Sequence, residues 1–458
     1  MLARHFLWQT LACVAAGVML GSGAAAQTSS ADPSAFVWSF DAYRPAISTQ
    51  DGRFSFAVRA RFQLDGVIYD DDSPPSFTSG GFIRRAYLGF EGRAFRDISY
   101  EYRMDFGGHR FGFSGPTVNL ARVAYNFQDI AGPDSLFRIN AGLIKTIFTY
   151  SDTVSSANLT FLERAGAVNV ASAAYGGSTQ RPGFELTFQK TGNLRDGDNV
   201  LASAAVTGSK PEHGASHGTQ LLGRFAYYWP MSESAGIQLG GSASEILDVG
   251  SDRVVLLQEF PEVRAGAQHL VSTGAIPAKG GSAWGLESET RFRNLYVGGE
   301  YYGFTVEREI ACPACNGGHE AKFSGWYAEA SWVLTGETKD YLPRSGNNSM
   351  ATFGSPQVRT PVSLDGENWG AWEIGARYSD LDLNWHEGAA GTPCAGPAAG
   401  CIRGGEQKIW TFALNWYLSD YVRLQLDYLR IDLDRLDALG IPTGRRFGAL
   451  GTRLQLTN

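Results

Sequence analysis

The chain has 458 residues with a formal net charge of -7, of which 43% are apolar and 12% aromatic. An acidic chain of this kind lacks the basic face of a nucleic-acid-binding protein, so no nucleic-acid partner is expected. Glycine supplies 56 of the 458 residues, about 12% against a typical ~7%, which favours tight turns and close contacts between strands. The mean hydropathy of -0.17 fits a soluble protein, and it fits a transmembrane barrel with a polar lumen equally well.

The first 26 residues have the pattern of a secretory signal peptide. Arg4 precedes an apolar run at 6–20, and three alanines at 24–26 come before Gln27. The run is shorter than the roughly 20 residues that a membrane-spanning helix needs, so we predict cleavage after Ala26 rather than a membrane anchor. Removing Arg4 with this segment changes the net charge from -7 to -8.

The rest of the chain is predicted as a flexible lead-in at 27–52 and one domain at 53–458. The first long strand is predicted at Arg53–Asp65, where apolar and polar residues alternate. Its length exceeds the five or six residues that are typical of globular strands, and it suits a tilted membrane strand. The same alternation recurs at 86–93, 99–106, 326–334, 372–378, 410–416 and 453–456.

Two features of these strands favour a barrel over a soluble β-sandwich. Aromatic residues gather at the ends of the apolar faces, as in the girdles of outer-membrane barrels. The opposite faces carry charges of both signs, as in Glu101, Arg103 and Asp105, which suit a water-filled lumen. We therefore predict an all-β fold, a transmembrane antiparallel β-barrel. About seventeen strand candidates are found, and because bacterial barrels have an even number we predict 16 strands, with Val254–Val263 the false candidate.

Connections of two lengths alternate along the chain. Short ones are predicted at 95–97 and 418–421, and long ones rich in Gly, Pro and Asn at 107–117, 208–219, 311–320, 340–368 and 386–404. Short periplasmic turns and long extracellular loops are typical of outer-membrane barrels. We therefore place all five long connections on the outer side of the membrane.

The alternation fails at Gly142–Arg164, a segment rich in Thr and Ser. A regular strand precedes it, and about thirty-five residues pass after Lys145 before a regular strand resumes at Phe184. Loops of that length are seldom without a function. We predict that this segment folds into the pore and forms its constriction.

Four cysteines remain after signal-peptide removal: Cys312, Cys315, Cys394 and Cys401. An exported protein meets an oxidising compartment, so disulfides are expected, and the short separations favour Cys312–Cys315 and Cys394–Cys401 among the three possible pairings. Cys312-x-x-Cys315 with His319 also fits part of a zinc site, but no fourth ligand is evident, and no metal is predicted.

Two other classes of function are open to a barrel. An outer-membrane enzyme needs a nucleophile beside a His, yet all the histidines of the mature chain lie in or beside predicted loops without a recognisable nucleophile motif; these are His109, His213, His217, His269, His319 and His386. We therefore predict no catalysis and no cofactor. A structural or adhesive barrel is the other class, and single-channel conductance separates it from a channel.

Six stretches, taken together and in order, resemble the phosphate-selective porins O and P of Gram-negative outer membranes. They are GFIRRAYLGFEG (Gly81–Gly92), GLIKTIF with TFLER (Gly142–Arg164), GLESETRFRNLYVGGEYYGFTVER (Gly285–Arg308), GWYAEASWVLTGETKDY (Gly325–Tyr341), GAWEIGARYSDLDLN (Gly370–Asn384) and TFALNWYLSDYVRLQLDYLRIDL (Thr411–Leu433). The resemblance implies an outer-membrane, 16-stranded and trimeric barrel, in contact with outer-membrane lipid, whose third loop folds inward and whose pore carries Arg and Lys for anions such as phosphate or polyphosphate.

The strand phase places many arginines in the lumen, where rings of Arg or Lys select anions. Our candidates for the anion-binding and constriction site are Lys145, Arg164, Arg59, Arg61, Arg85, Arg122 and Arg138. Guanidinium suits phosphate because its planar fork makes paired hydrogen bonds and keeps its charge. The same faces carry carboxylates, so a given arginine is as well explained by internal ion pairing. Lys145 and Arg164 are the strongest candidates because they bracket the loop, and a general small-solute channel without phosphate specificity is the alternative.

Overall fold

The computed structural model describes residues 33–40, 44–70, 77–108, 116–177, 181–208, 218–264, 268–312, 318–345 and 348–458. The predicted signal peptide at 1–26 lies outside them. The strands are β1 Phe36–Ser39, β2 Ala46–Thr49, β3 Ser55–Tyr69, β4 Gly80–Ala94, β5 Ile98–Asp105, β6 Thr117–Gln128, β7 Ser135–Ile144, β8 Arg181–Thr191, β9 Asn199–Gly208, β10 Thr219–Ser232, β11 Ala235–Asp248, β12 Val254–Val255, β13 Gln258–Glu259, β14 Val271–Ser272, β15 Ile276–Phe292, β16 Leu295–Cys312, β17 Gly318–Val333, β18 Tyr341–Ser345, β19 Asn348–Phe353, β20 Ala371–Trp385, β21 Ile402–Tyr417, β22 Val422–Asp434 and β23 Arg445–Thr457.

Helices are few and short in the described ranges. They are the α-helices α1 Tyr150–Thr153 and α2 Gly166–Ala174, with a 3₁₀ helix at Pro397–Ala399. None of these described helices has the length and apolar character to cross a membrane.

Sixteen long strands close into an antiparallel barrel, which confirms the predicted fold. They are β3 to β11, β15 to β17 and β20 to β23, each paired with the next, and β23 returns to β3 with Leu454 opposite Leu64. Within Val254–Val263 the chain forms only the short strands β12 and β13, so this candidate is correctly left out of the barrel. Closure gives each barrel strand a hydrogen-bonded neighbour on both sides, so the barrel has no edge strand.

The phase of the strands separates a lipid-facing surface from the lumen, as β20 and β21 show. Trp372 and Trp416 stack on the outer face with ring centroids 5.1 Å apart. The neighbouring residues Glu373 and Asn415 point inward and have no exposed surface. Consecutive side chains of a strand lie on opposite faces, so the sequence alternation directly gives the two environments.

Part of the predicted lead-in is regular structure. The strands β1 and β2 form a hairpin, and β2 pairs with the start of β3, with Ala46 opposite Ala57. The last strand β23 takes over the same edge of β3 from Arg61 onward. The hairpin therefore continues the sheet beyond the end of β23.

One long connection lies at the opposite end of the barrel from the one predicted. The residues 334–370 follow β17, whose last turn pairs with the start of β16, Trp332 opposite Leu295. They therefore lie at the end of the short turns 95–97, 293–294 and 418–421. Assigning this connection to the outer side was wrong, because strand direction, and not loop length, decides the side on which a connection falls.

Three connections fold into the barrel and fill much of it. We call residues 145–177 the infolded loop, residues 249–264 with 268–275 the outer segment and the strand pair β18–β19 the lower hairpin. The buried core lies inside the barrel, where α2 of the infolded loop packs against β16, β17 and β20. Tyr175, which is fully buried, stacks on Phe304 with ring centroids 5.6 Å apart.

Hydrogen bonds hold the infolded loop to separate strands of the barrel wall. Glu300 of β16 accepts the backbone N–H groups of Tyr150 at 3.0 Å and Ser151 at 3.1 Å. Four strands farther around the barrel, Asp427 of β22 accepts the N–H of Leu162 at 2.8 Å. Buried backbone groups need such partners, so the polar lumen wall supplies what a regular strand would have supplied.

Candidate functional site

The lumen arginines fall into a buried group and a partly exposed group. In the buried group, Arg224 pairs with Glu287 at 2.6 Å and Arg377 pairs with Glu262 at 2.6 Å. These side chains are at most 4% exposed. A buried pair with both charges satisfied has little capacity left for a solute, so we assign these arginines to the structure of the barrel.

The partly exposed group lies on β3, β5 and β6, and we call it the basic wall: Arg59, Arg61, Arg103 and Arg122. The ring of Tyr87, on β4 between them, lies 4.6 Å from the Arg103 guanidinium carbon and 5.6 Å from that of Arg61. Cation–π contacts of this kind hold guanidinium groups in place without neutralising them.

Carboxylates neutralise part of the basic wall. Glu101 pairs with Arg122 at 2.7 Å and lies 3.7 Å from Arg103, and Glu91 pairs with Arg59 at 3.3 Å. Arg61 instead donates to the hydroxyl groups of the infolded loop at Ser155 and Ser156. Its charge is therefore held by neutral acceptors. Three other arginines, Arg103, Arg85 and Arg59, act on it electrostatically and repel its charge.

Lys145 begins the infolded loop and faces the basic wall. Within the described part of the chain it makes no hydrogen bond or ion pair. Burial, with a further contribution from Arg164, lowers the pKa of Lys145 to about 7, although Asp152 opposes the shift. Arg103 and Arg61 also repel its charge. The structure thus brings Lys145, Arg61 and Arg103 together, while the direct binding of anions to them remains a prediction.

Arg164 has a different environment from the one expected of a pore-lining cation. Its Nε donates to the carbonyl of Ser151 at 2.9 Å and its Nη2 donates to the carbonyl of Val154 at 2.9 Å. Asp152 lies 3.9 Å away. The guanidinium therefore ties the helix α1 to the rest of the infolded loop, and we assign it a positioning role.

The remaining two candidates are buried beside the basic wall. Arg85 donates to Gln63 at 2.8 Å and lies 3.9 Å from the carboxylate of Glu163. Arg138 of β7 is 5% exposed, and its charged neighbours are Arg122, Glu185 and Glu101. Both extend the positive charge behind the wall without facing open solvent.

Across the lumen, carboxylates and tyrosines predominate on β15, β16 and β17. Glu289 is fully buried and neither of its carboxylate oxygens has a hydrogen-bond partner in the described structure. Glu300 accepts from the hydroxyl groups of Tyr302 at 2.5 Å and Tyr327 at 2.8 Å. The infolded loop thus lies between an acidic wall, to which α1 is bonded, and the basic wall.

The site predicted from the sequence included no residue of the lower hairpin, although this hairpin also narrows the lumen. Tyr341 stacks on Tyr228 of β10 with ring centroids 3.7 Å apart, and Phe353 packs on Tyr296 at 5.7 Å. The backbone N–H of Phe353 donates to the hydroxyl of Tyr150 in the infolded loop at 3.2 Å. The two inserted segments therefore meet inside the barrel.

One predicted disulfide is present in the described structure. Cys394 and Cys401 are bonded, with their Cα atoms 5.6 Å apart, and they close the loop between β20 and β21. The predicted partner bridge Cys312–Cys315 lies outside the described side chains, as does the zinc alternative that uses it.

The comparisons with known proteins agree with this architecture. The sequence model of the family described as "Phosphate-selective porin O and P" matches residues 56–456. Porin O of Pseudomonas aeruginosa is 22% identical over 410 residues, which cover 85% of this chain and 86% of that protein. An uncharacterized protein of Caulobacter vibrioides is 26% identical over 393 residues, 83% of this chain and 69% of that protein.

Among solved structures, an anion-selective porin from Comamonas acidovorans superposes with a TM-score of 0.52 at 12% sequence identity. The match covers 88% of this chain and 100% of that one, and at this identity it supports the fold alone. The family match and the closed barrel both fit a non-enzymatic channel of the outer membrane. The chain belongs to the phosphate-selective porin O and P family of outer-membrane porins.

Proposed function

We propose that this porin carries small anions by passive diffusion, and that the basic wall with Lys145 forms its selective region. The observation that supports this most directly is the pair Arg61 and Lys145. Both are partly exposed, both lie where the infolded loop meets the wall, and neither forms an ion pair with a carboxylate within the described ranges. An anion passing between the loop and the wall therefore meets uncompensated positive charge.

Electrostatics makes this region more selective than an open lumen wall. At an effective dielectric of about 20, two unit charges 6 Å apart interact by roughly 3 kcal/mol, whereas in bulk water the figure is below about 1 kcal/mol. Ionic screening over about 8–10 Å further weakens charges on a wide, water-filled wall. A few cations in a narrow passage can thus outweigh the acidic net charge of the whole chain.

Phosphate or polyphosphate is the anion class we propose within this function. Guanidinium groups make paired, charge-assisted hydrogen bonds with phosphate oxygens, and the family description names phosphate-selective porins. We also propose a homotrimer, surrounded by outer-membrane lipid at the exposed aromatic band, on the strength of the family resemblance. Export by the predicted signal peptide at 1–26 completes this proposal.

Planar-bilayer recordings of purified protein test the function. Under a salt gradient, the wild-type channel should show a reversal potential of the sign set by anions, and added phosphate should block chloride current. The double variant Arg61→Gln, Lys145→Gln should lose much of both effects. Arg253→Gln removes a positive charge from an exposed ion pair with Glu309 and is the matched control. Equal selectivity in the double variant and the control would contradict the proposal.

A general small-solute porin without phosphate preference is the second candidate. The acidic wall favours it, because carboxyl and tyrosine side chains, among them Glu289 and Glu329, lie across the lumen from the basic wall. Polar walls of different character on the two sides of a passage orient dipolar solutes without preferring one anion. This candidate predicts weak anion selectivity and equal currents in chloride and phosphate at equal charge concentration.

A further inference from the structure

Three arginines surround one carboxylate where the infolded loop meets β4 and β23. The Nε of Arg84 donates to Oε1 of Glu163 at 2.5 Å, and its Nη2 donates to Oε2 at 2.9 Å. Arg453 approaches Oε1 of Glu163 at 3.3 Å, and Arg85 approaches Oε2 at 3.9 Å. Glu163 comes from the infolded loop, while the three arginines belong to the barrel wall.

A β-bulge directs two consecutive arginines to this point. Gln63 of β3 pairs with Arg85, and Leu64 pairs with Ile83, so Arg84 is an extra residue in β4. In a regular strand, adjacent side chains point to opposite faces, and one of the two arginines would face lipid. The bulge changes the direction of the Arg84 side chain, so both arginines reach the carboxylate of Glu163.

Without Glu163 the three arginines would have one carboxylate, Asp65, to offset their charge. Asp65 accepts two hydrogen bonds from Arg453, at 2.6 Å and 2.7 Å, and is the second carboxylate of the group. With Glu163 the group holds three positive and two negative charges. Burial alone would raise the pKa of Glu163, but its ion pairs with Arg84 and Arg85 lower it well below the usual value. The carboxylate therefore stays charged at any pH relevant to the protein.

We propose that Arg84, Arg85 and Arg453 form an oxyanion site, which the carboxylate of Glu163 occupies from within the chain. The two carboxylate oxygens take the paired hydrogen bonds that two oxygens of a phosphate would take. Glu163 thereby competes with a passing oxyanion and sets how tightly the pore holds it. The inference rests on the proposed anion transport and identifies a specificity-determining residue that acts by occupying the site.

The site is not fully closed to solvent, because one of its arginines is partly exposed. Arg84 is 18% exposed, in contrast to the 5% of Glu163. A cavity of about 30 Å³ lies beside Glu163 and is lined also by Arg164 and Arg377. This volume holds about two water molecules, so solvent adjoins the carboxylate without displacing it. Truncation of Glu163 would join the cavity to the space that its carboxylate leaves.

Phosphate block of chloride current, measured on purified full-length protein in planar bilayers, tests the site. Glu163→Ala should be half-blocked at a phosphate concentration roughly tenfold lower than wild type, since one hydrogen bond to a charged group commonly changes an equilibrium by about tenfold or more. Glu163→Asp should behave as wild type. Glu309→Ala makes the same change in net charge at an exposed outer ion pair and should have no effect.

A double variant distinguishes an oxyanion site at Glu163 from a role of Glu163 in anchoring the infolded loop. Adding Arg84→Gln to Glu163→Ala should restore the weak block of wild type. If Glu163 only anchors the infolded loop, Glu163→Ala should instead raise conductance and leave phosphate block unchanged or weaker, which would overturn the proposal. Altered mobility on a detergent gel between boiled and unboiled samples checks that each barrel has formed, and the isosteric Glu163→Gln serves if the alanine variant does not fold.

Direct binding distinguishes failure of this site from failure of the proposed function. Phosphate should raise the thermal unfolding temperature of detergent-solubilised Glu163→Ala more than that of wild type, and should have no such effect after the further change Arg84→Gln. This result in a channel with no anion preference would retain the oxyanion site and reject anion transport. Absence of any phosphate effect on either measurement in Glu163→Ala and Glu163→Gln would reject the site itself.

Discussion

The carboxylate of Glu300 accepts the backbone N–H of Tyr150 at 3.0 Å, although the two residues are 150 positions apart. The bond joins a strand of the barrel wall to the first turn of helix α1, at the start of the part of the loop that crosses the lumen. A second bond to Ser151 at 3.1 Å makes the contact bidentate. A carboxylate of the acidic wall therefore holds this end of the loop, and the four arginines of the basic wall make no hydrogen bond to the loop backbone in the described structure.

Replacing Glu300 should loosen the loop without opening the barrel. Glu300→Gln keeps one acceptor and loses the charge, and leaving a buried N–H without a partner costs on the order of 1–3 kcal/mol. We expect higher and noisier single-channel conductance than wild type, with the gel-mobility shift of a folded barrel retained. Glu320→Gln, at an exposed position beside Lys322, is the control. Unchanged conductance in Glu300→Gln would show that other contacts hold the loop.

Lys145 and Arg164 should respond differently to substitution, although the sequence treats them alike. Lys145→Glu reverses a charge that has no partner in the described structure, so the reversal potential should move toward cations with a severalfold change in permeability ratio. Arg164→Gln removes the donors to the carbonyls of Ser151 and Val154, so conductance noise should rise more than selectivity changes. The opposite pattern would show that Arg164, and not Lys145, lines the passage.

Anion selectivity should depend on pH near neutrality. Burial and the nearby Arg164 lower the pKa of Lys145 to about 7. Below that pH the ammonium form predominates and attracts anions, and above it the neutral amine does not, so selectivity should fall as the pH rises from about 6 to about 8. In Lys145→Arg the anion selectivity should stay high and constant across this pH range, because the guanidinium group remains charged throughout. Reversal potentials measured across this range check the prediction, and an unchanged slope in Lys145→Arg would contradict it.

The sequence predicts the barrel because the environment of each strand residue follows from its parity. Trp372 and Glu373 differ in polarity and lie on opposite faces, as the alternation requires. The failure of alternation after Lys145 likewise marks a segment that leaves the wall. Both predictions depend only on local pattern, which a single sequence contains.

The contacts inside the barrel were beyond a single sequence. The alternation predicts that two adjacent arginines face opposite sides of the strand. Arg84 and Arg85 instead share a direction because of a β-bulge that the residue pattern does not show. The sequence predicts an unpaired cation at Arg164, because its partners are backbone carbonyl groups, which a residue pattern does not reveal. The inward fold of the lower hairpin depends on strand direction and on the aromatic contacts of Tyr341 with Tyr228, residues more than one hundred positions apart.

The disulfide Cys394–Cys401 should stabilise its loop and leave the barrel unchanged. Closing a loop of about eight residues contributes roughly 2–3 kcal/mol in the chain-entropy estimate. The double variant Cys394→Ser, Cys401→Ser should retain the gel-mobility shift, while limited proteolysis at 386–401 should proceed faster than in wild type. A thiol reagent should not label unreduced, unfolded wild type, since all four exported cysteines are predicted to pair. Loss of the barrel in the double variant would show that the bridge is needed for folding.

The lower hairpin should limit conductance from the end opposite the predicted constriction. Tyr341 stacks on Tyr228 with ring centroids 3.7 Å apart, and its hydroxyl donates to Asn199 at 3.1 Å, so the ring fixes the hairpin against β9 and β10. Tyr341→Ala removes a half-buried aromatic ring, so the free energy of unfolding should fall by less than the roughly 3–5 kcal/mol that truncation of a fully buried ring costs. We expect a larger single-channel conductance with little change in reversal potential, because the residue carries no charge. Leu364→Ala, in the same connection and fully exposed, is the matched control. If the two variants conduct equally, the hairpin does not restrict the pore, and the narrowing must come from the infolded loop and the outer segment.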